Sequence, residues 1–114
     1  MNNNIFKAQV RDVSGVATID MEGEINSFAE AGLSTAYNQA ESYNPARVVL
    51  NFTRVDYINS TGIALIVGLL ARARKSRREL AVFGLTEHYK EIFQITRLSD
   101  FMTIYADEAS AVHV

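Results

Sequence analysis

The residues best placed to do chemistry are Asn59-Ser60-Thr61-Gly62, which stand directly before the apolar run 63–70. A helix start leaves backbone N–H groups unpaired and carries partial positive charge. A hydroxyl at that point either caps the helix or accepts a phosphate in a favourable field. Asn59, Ser60 and Thr61 are all capping types, and no Glu or Gln follows three residues after any of them to form a capping box. With Asn59 as the cap, Ser60 becomes the first helical residue and its hydroxyl is free to face solvent.

Other chemistry finds little support. There is no cysteine, which excludes disulfides and thiolate metal sites. His88 and His113 fall in different elements, outside any ligand-spaced motif, and read as solvent-facing residues. Neither a Gly-rich phosphate loop nor a G-x-S-x-G nucleophile elbow is present. Arg72, Arg74, Lys75, Arg77 and Arg78 place five basic residues within seven, a pattern able to bind phosphate or an acidic partner but better suited to the negative end of a helix dipole. Asn51-Phe52-Thr53 and Asn59-Ser60-Thr61 are formal glycosylation sequons without meaning in a chain that is not secreted.

The elements that must position Ser60 follow from hydrophobic period and turn signals. Residues 5–10 and 15–21 read as strands joined by the turn Asp12-Val13-Ser14-Gly15 into a hairpin. Gly23, Glu24, Ile25, Asn26 and Ser27 read as a loop ending in capping residues. A helix follows over about 28–43 with Ala29, Leu33, Ala36 and Ala40 on one stripe. The consecutive Val48-Val49-Leu50 marks 47–52 as a strand buried on both faces. The second helix runs to about residue 75. Residues 79–85 form a further strand, 87–95 a helix, 101–105 a short strand and 107–112 a last helical turn. Pro45 falls between two elements. Strands alternating with helices imply an α/β fold: a mixed, mostly parallel sheet of four to five strands, opening with a β-hairpin and packed by three to four helices.

The second helix has more apolar residues than a core face needs. At 100° per residue, Ile63, Ile66, Val67 and Leu70 share the face expected to pack on the sheet. Leu65 and Leu69 fall on the other side, beside Gly62, Gly68 and Arg72. Either a neighbouring helix covers these leucines or they form an apolar patch for a partner.

The chain has 114 residues, 48 % of them hydrophobic and 21 % charged, with a net charge of −2. It reads as one domain over 1–114 with an ordinary core and no reason to bind nucleic acid. The start, Met1-Asn2-Asn3-Asn4, does not read as a signal peptide, and the longest apolar run is far shorter than a membrane span. A cytoplasmic protein without membrane attachment is expected.

At these residues the chain resembles the STAS family, the anti-sigma factor antagonists of bacterial sporulation and general-stress pathways. The family's hallmark is a strand of the type V-L-[ND]-[LF], a short connection, then D-S-[ST]-G and an apolar helix with spaced small residues. Here it reads Val48-Val49-Leu50-Asn51-Phe52, then Asn59-Ser60-Thr61-Gly62 leading into the helix with Gly68. A second landmark, G-E-[LI]-D, is matched by Gly23-Glu24-Ile25-Asn26. Asn59 and Asn26 stand where the family usually carries Asp, which keeps cap geometry and removes a charge at both places.

The resemblance implies a STAS fold and a phospho-switch. The unphosphorylated protein would bind an anti-sigma factor that is also a serine kinase and so free a sigma factor. The kinase would phosphorylate Ser60, ending binding, and a PP2C-type phosphatase would restore it. The chain itself would need no cofactor and do no catalysis, since the kinase brings ATP, Mg²⁺ and base. It is expected to be a monomer when free. The implied partner surface comprises Gly23, Glu24, Ile25, Asn26 and Ser27 with Asn59, Ser60, Thr61, Gly62, Leu65, Gly68, Leu69 and Arg72. The alternative is a STAS accessory subunit that uses the same helix, unphosphorylated, to stabilise a transporter or ATPase complex.

Overall fold

The computed structural model describes residues 5–113. A hairpin of β1 (Lys7–Val13) and β2 (Val16–Ile25) opens the chain. Its turn is Ser14-Gly15, with φ of 54° and 83°, the left-handed pair that follows strand twist. A 3-10 turn (Ser27–Ala29) leads into α1 (Glu30–Ser42); β3 (Arg47–Ile58), α2 (Ser60–Lys75), β4 (Glu79–Phe83) and α3 (Glu87–Ile95) follow. A second 3-10 turn (Leu98–Asp100), β5 (Thr103–Tyr105) and α4 (Glu108–Val112) complete the described chain.

The five strands lie in the order β1-β2-β3-β4-β5. β1 pairs antiparallel with β2, and every later pair is parallel. Right-handed crossovers that advance steadily across a sheet put their helices on one side. Accordingly α1, α2 and α3 cover one face through Leu33, Tyr37, Ile66, Leu70 and Phe93, against Ile19, Leu50 and Val82. The short α4 covers the other face through Ala111 over Val16, Val49, Ala81 and Phe83. Val48, Val49 and Leu50 are all fully buried, as expected of a strand covered on both sides.

Three strands run past their expected ends; β1 continues to Val13, beyond the expected residue 10. β3 continues to Ile58, where sequence reading stopped it at residue 52, and β2 continues to Ile25, so Gly23, Glu24 and Ile25 are strand rather than loop. Gly23, at φ 88°, sits between shifts of register at Asp20/Glu22 and Gly23/Glu24. A left-handed glycine is what such a bulge needs. The two strand tails then re-pair as Glu24 with Tyr57 and Ile25 with Ile58. They carry the chain beyond β4 to the start of α2.

Candidate functional site

The site forms where these tails meet the first turn of α2. Ile25 is fully buried, and its carbonyl accepts from the Asn59 N–H at 3.3 Å. The Ile58 N–H donates to the Tyr89 hydroxyl at 2.9 Å, which ties the end of β3 to α3. Asn59 has extended backbone, and its Oδ1 accepts from the Gly62 N–H at 2.8 Å. Asn59 is therefore the N-cap, and Ser60 the first helical residue. Ser60 and Thr61 are both exposed.

Gly62 is buried against β2. A Cβ there would lie 2.8 Å from the Ile25 carbonyl carbon, 2.9 Å from Ile58 Cγ2, and closer still to the Ile25 oxygen. Only the absence of a side chain lets the helix start lie on the strand end. The second landmark is thereby locked to the first. Asn26 caps the neighbouring 3-10 turn: its Oδ1 accepts from the Phe28 N–H at 2.9 Å, and its Nδ2 donates to Glu24 Oε1 at 3.3 Å. Ser27 is exposed beside it.

The faces of α2 differ from the expected ones. Gly62, Ile66, Leu69, Leu70 and Ala73 are buried, while Val67 is 45 % exposed. Leu69 is thus core, not patch, and Val67 is not on the sheet face. Seating Gly62 on β2 sets the rotation of the helix. With Ile66 pointing at the sheet, Leu65 and Val67 lie 100° to either side of it. Leu65 is half-buried against the core, the covered outcome of the two weighed for it. Arg72 turns toward α1, where its Nη2 donates to Asn38 Oδ1 at 2.5 Å and Glu41 Oε1 at 2.8 Å. Its guanidinium also lies 4.5 Å over the buried Tyr37 ring. Burial, then the charge of Glu41, pushes the Tyr37 phenol above its ordinary range. Arg72 is therefore held by α1 and not free on an open surface.

The outward side of α2 presents Ser60, Thr61, Ala64, Gly68 and Ala71, all exposed, with no charge before Arg74 and Lys75. A solvated helix face ordinarily carries charge there. Two aromatic side chains that sequence reading did not place in the site stand at the same end. Phe28 is 92 % exposed just after the Asn26 cap, and Tyr57 is 54 % exposed at the end of β3. An aromatic residue two positions after Asn26, outside the Ala29-Leu33-Ala36 stripe, was the available signal for Phe28.

Of the other groups weighed, His88 and His113 are both exposed. The basic run ends α2, with Arg72, Arg74 and Lys75 in its last turn. Among the described residues no cluster of three or more His, Asp or Glu is arranged to hold a metal ion, and no helix is long and apolar enough to cross a membrane.

The model of the STAS domain matches residues 7–111. The chain belongs to the STAS family. An anti-sigma-B factor antagonist of Listeria monocytogenes is 30 % identical over 86 residues, 75 % of each chain. Among solved structures, an anti-sigma factor antagonist from Mycobacterium paratuberculosis superposes with a TM-score of 0.82 at 18 % identity, over 97 % of this chain and 94 % of that one. The Bacillus cell fate determinant SpoIIAA in its phosphorylated form does so with a TM-score of 0.69 at 18 % identity, over 90 % and 95 %. The mixed five-stranded sheet with four helices is thus the STAS fold anticipated from the two sequence landmarks.

Proposed function

We propose that this STAS protein is an anti-sigma factor antagonist switched by phosphorylation of Ser60. The observation that carries the reading is the position of Ser60, exposed as the first residue of a capped helix whose outward face is uncharged. Unmodified, the face around Ser60, Thr61 and Gly68, with Asn26 and Ser27 beside it, receives an anti-sigma factor and so releases a sigma factor. A serine kinase, the anti-sigma factor itself, adds the phosphate, and a PP2C-type phosphatase removes it. The chain acts by binding and does no catalysis of its own.

The physics of the switch is local. A phosphate at the first turn of α2 lies in a favourable dipole field, so the domain stays folded when modified. The same dianion on a face that must be desolvated against a partner opposes association. Switching then occurs at the interface without unfolding.

The test is incubation with the serine kinase that co-purifies with the protein, followed by intact mass and peptide mapping. One phosphate on Ser60 is expected. Phosphate confined to Thr61, Ser27 or another residue would remove the assignment. One feature favours a second reading: Asn26 and Asn59 replace both family Asp residues. A STAS accessory subunit stabilising a transporter or ATPase complex would use the same helix and take up no phosphate in that assay.

A further inference from the structure

A second apolar surface lies on the far side of α2 from α1, away from Ser60. Between α2 and the turn after α3 runs a groove of about 330 Å³. Its floor is Leu70 and Leu98, 6 % and 5 % exposed. Its walls are Val67 and Phe101, 45 % and 53 % exposed, both among the large apolar side chains left open in the described residues. Arg97, held at φ 67°, and Arg74, whose guanidinium sits 5.2 Å over the Phe101 ring, stand at the rim.

Charge decides what fits there. The chain as a whole is slightly acidic, yet this end of α2 is cationic. Among the described residues Arg74, Lys75 and Arg77 make no ion pair, whereas Arg72 and Arg78 are bound to Glu41. Arg74 lines the groove and Lys75 and Arg77 follow it at the end of α2, while Arg97 at the rim is neutralised by Asp100 at 2.5 Å. An apolar trough with a net cationic end complements apolar side chains followed by carboxylates. A recessed floor between two ridges receives protruding side chains; a membrane surface would call for a flat or convex apolar patch. We infer that the groove lined by Val67, Leu70, Leu98 and Phe101 is a docking site for an acidic amphipathic helix of a partner protein, its carboxylates meeting Arg74, Lys75 and Arg77.

This surface goes beyond the Ser60 switch, and its test does not involve Ser60. A synthetic helical peptide of about fifteen residues, with leucines on one face and glutamates on the other, is titrated into the isotope-labelled full chain. The same peptide with lysine for glutamate is the control. The glutamate peptide should shift the amide signals of Val67, Ala71, Leu98 and Phe101, and the lysine peptide should not. Lys75→Gln with Arg77→Asn removes two charges while keeping a residue suited to the left-handed backbone of Arg77. It should weaken the glutamate peptide by about 3- to 10-fold and flatten its salt dependence. Val67→Glu should abolish the shifts with the urea midpoint unchanged. Equal response to both peptides, shifts confined to other residues, or a charge-depleted variant that binds as wild type would overturn the inference. So would anionic phosphatidylglycerol vesicles giving the groove shifts that the glutamate peptide does not.

Discussion

The carbonyl of Ile25 occupies the space that a Cβ on Gly62 would need, so that the end of β2 and the start of α2 pack directly on each other. This contact joins two sequence motifs 37 positions apart and fixes where Ser60 emerges, because it sets both the height and the rotation of α2.

Gly62→Ala should therefore separate the two motifs. The added methyl meets backbone rather than a flexible side-chain end, so a loss of about 2–3 kcal/mol in urea melts is expected. Gly68→Ala is the control: a Cβ there meets nothing within 4 Å, and the change should stabilise by roughly 0.5–1 kcal/mol through helix propensity.

The rotation of α2 predicts how its apolar residues divide. Ile66→Ala and Leu69→Ala remove buried side chains and should each cost about 2–5 kcal/mol. Val67→Ala, on the exposed flank, should cost well under about 1 kcal/mol. Equal losses at Leu69 and Val67 would contradict the burial pattern.

Asn59 separates capping from charge. Asn59→Ala should lose about 1 kcal/mol of stability, the worth of an N-cap. Asn59→Asp keeps the acceptor for the Gly62 N–H and adds charge at the positive end of the helix, so it should retain wild-type stability or gain roughly 0.3–1 kcal/mol. Thermal melts of the pair check both signs.

Phe28 is too exposed to support the fold yet stands beside the Asn26 cap. Phe28→Ala should leave the urea midpoint unchanged and weaken binding of the anti-sigma partner by about 1–2 kcal/mol, as loss of an interfacial aromatic does. Titration calorimetry with the co-purifying partner would show it.

Acid should weaken the sheet at Asp20. Partial burial alone pushes this carboxyl up, but hydrogen bonds from Arg11 and Asn51, with the Arg11 charge, outweigh it and hold the carboxyl below its ordinary range. A folded-state value below the unfolded value of about 3.9 gives stability that is present above about pH 4 and lost as pH falls through the lower value. Asp20→Asn should flatten the acid limb of the stability profile.

The order of elements was legible because the strong signals lie inside elements. Leu33, Ala36 and Ala40 of the expected stripe, the Val48-Val49-Leu50 run and the helix over 87–95 fall where their patterns put them, whereas Ala29 lies in the 3-10 turn before α1. The strand tails were not legible, since Gly23 and the polar Asp56 read as loop, and their extension depends on pairing with each other. The rotation of α2 was ambiguous for a physical reason. Leu65 and Val67 flank Ile66 symmetrically, and only the presence of α1 on one side and an open groove on the other tells them apart. The motif named Gly62 without revealing that it faces the Ile25 carbonyl. Arg72 read as part of a cationic helix end, and its partners Asn38 and Glu41 lie on an element some thirty positions away.

The central claim is that charge at Ser60 switches the affinity of this face without unfolding the domain. The most direct measurement is titration calorimetry of the anti-sigma partner against unmodified protein and against protein phosphorylated on Ser60, with Ser60→Ala and Ser60→Asp alongside and circular dichroism on each form. All four should be equally folded. The unmodified and Ser60→Ala proteins should bind alike, and the phosphorylated and Ser60→Asp forms should bind at least about ten-fold more weakly, a difference of ~1.4 kcal/mol. Phosphorylated protein that binds with the affinity of the unmodified form would contradict the account.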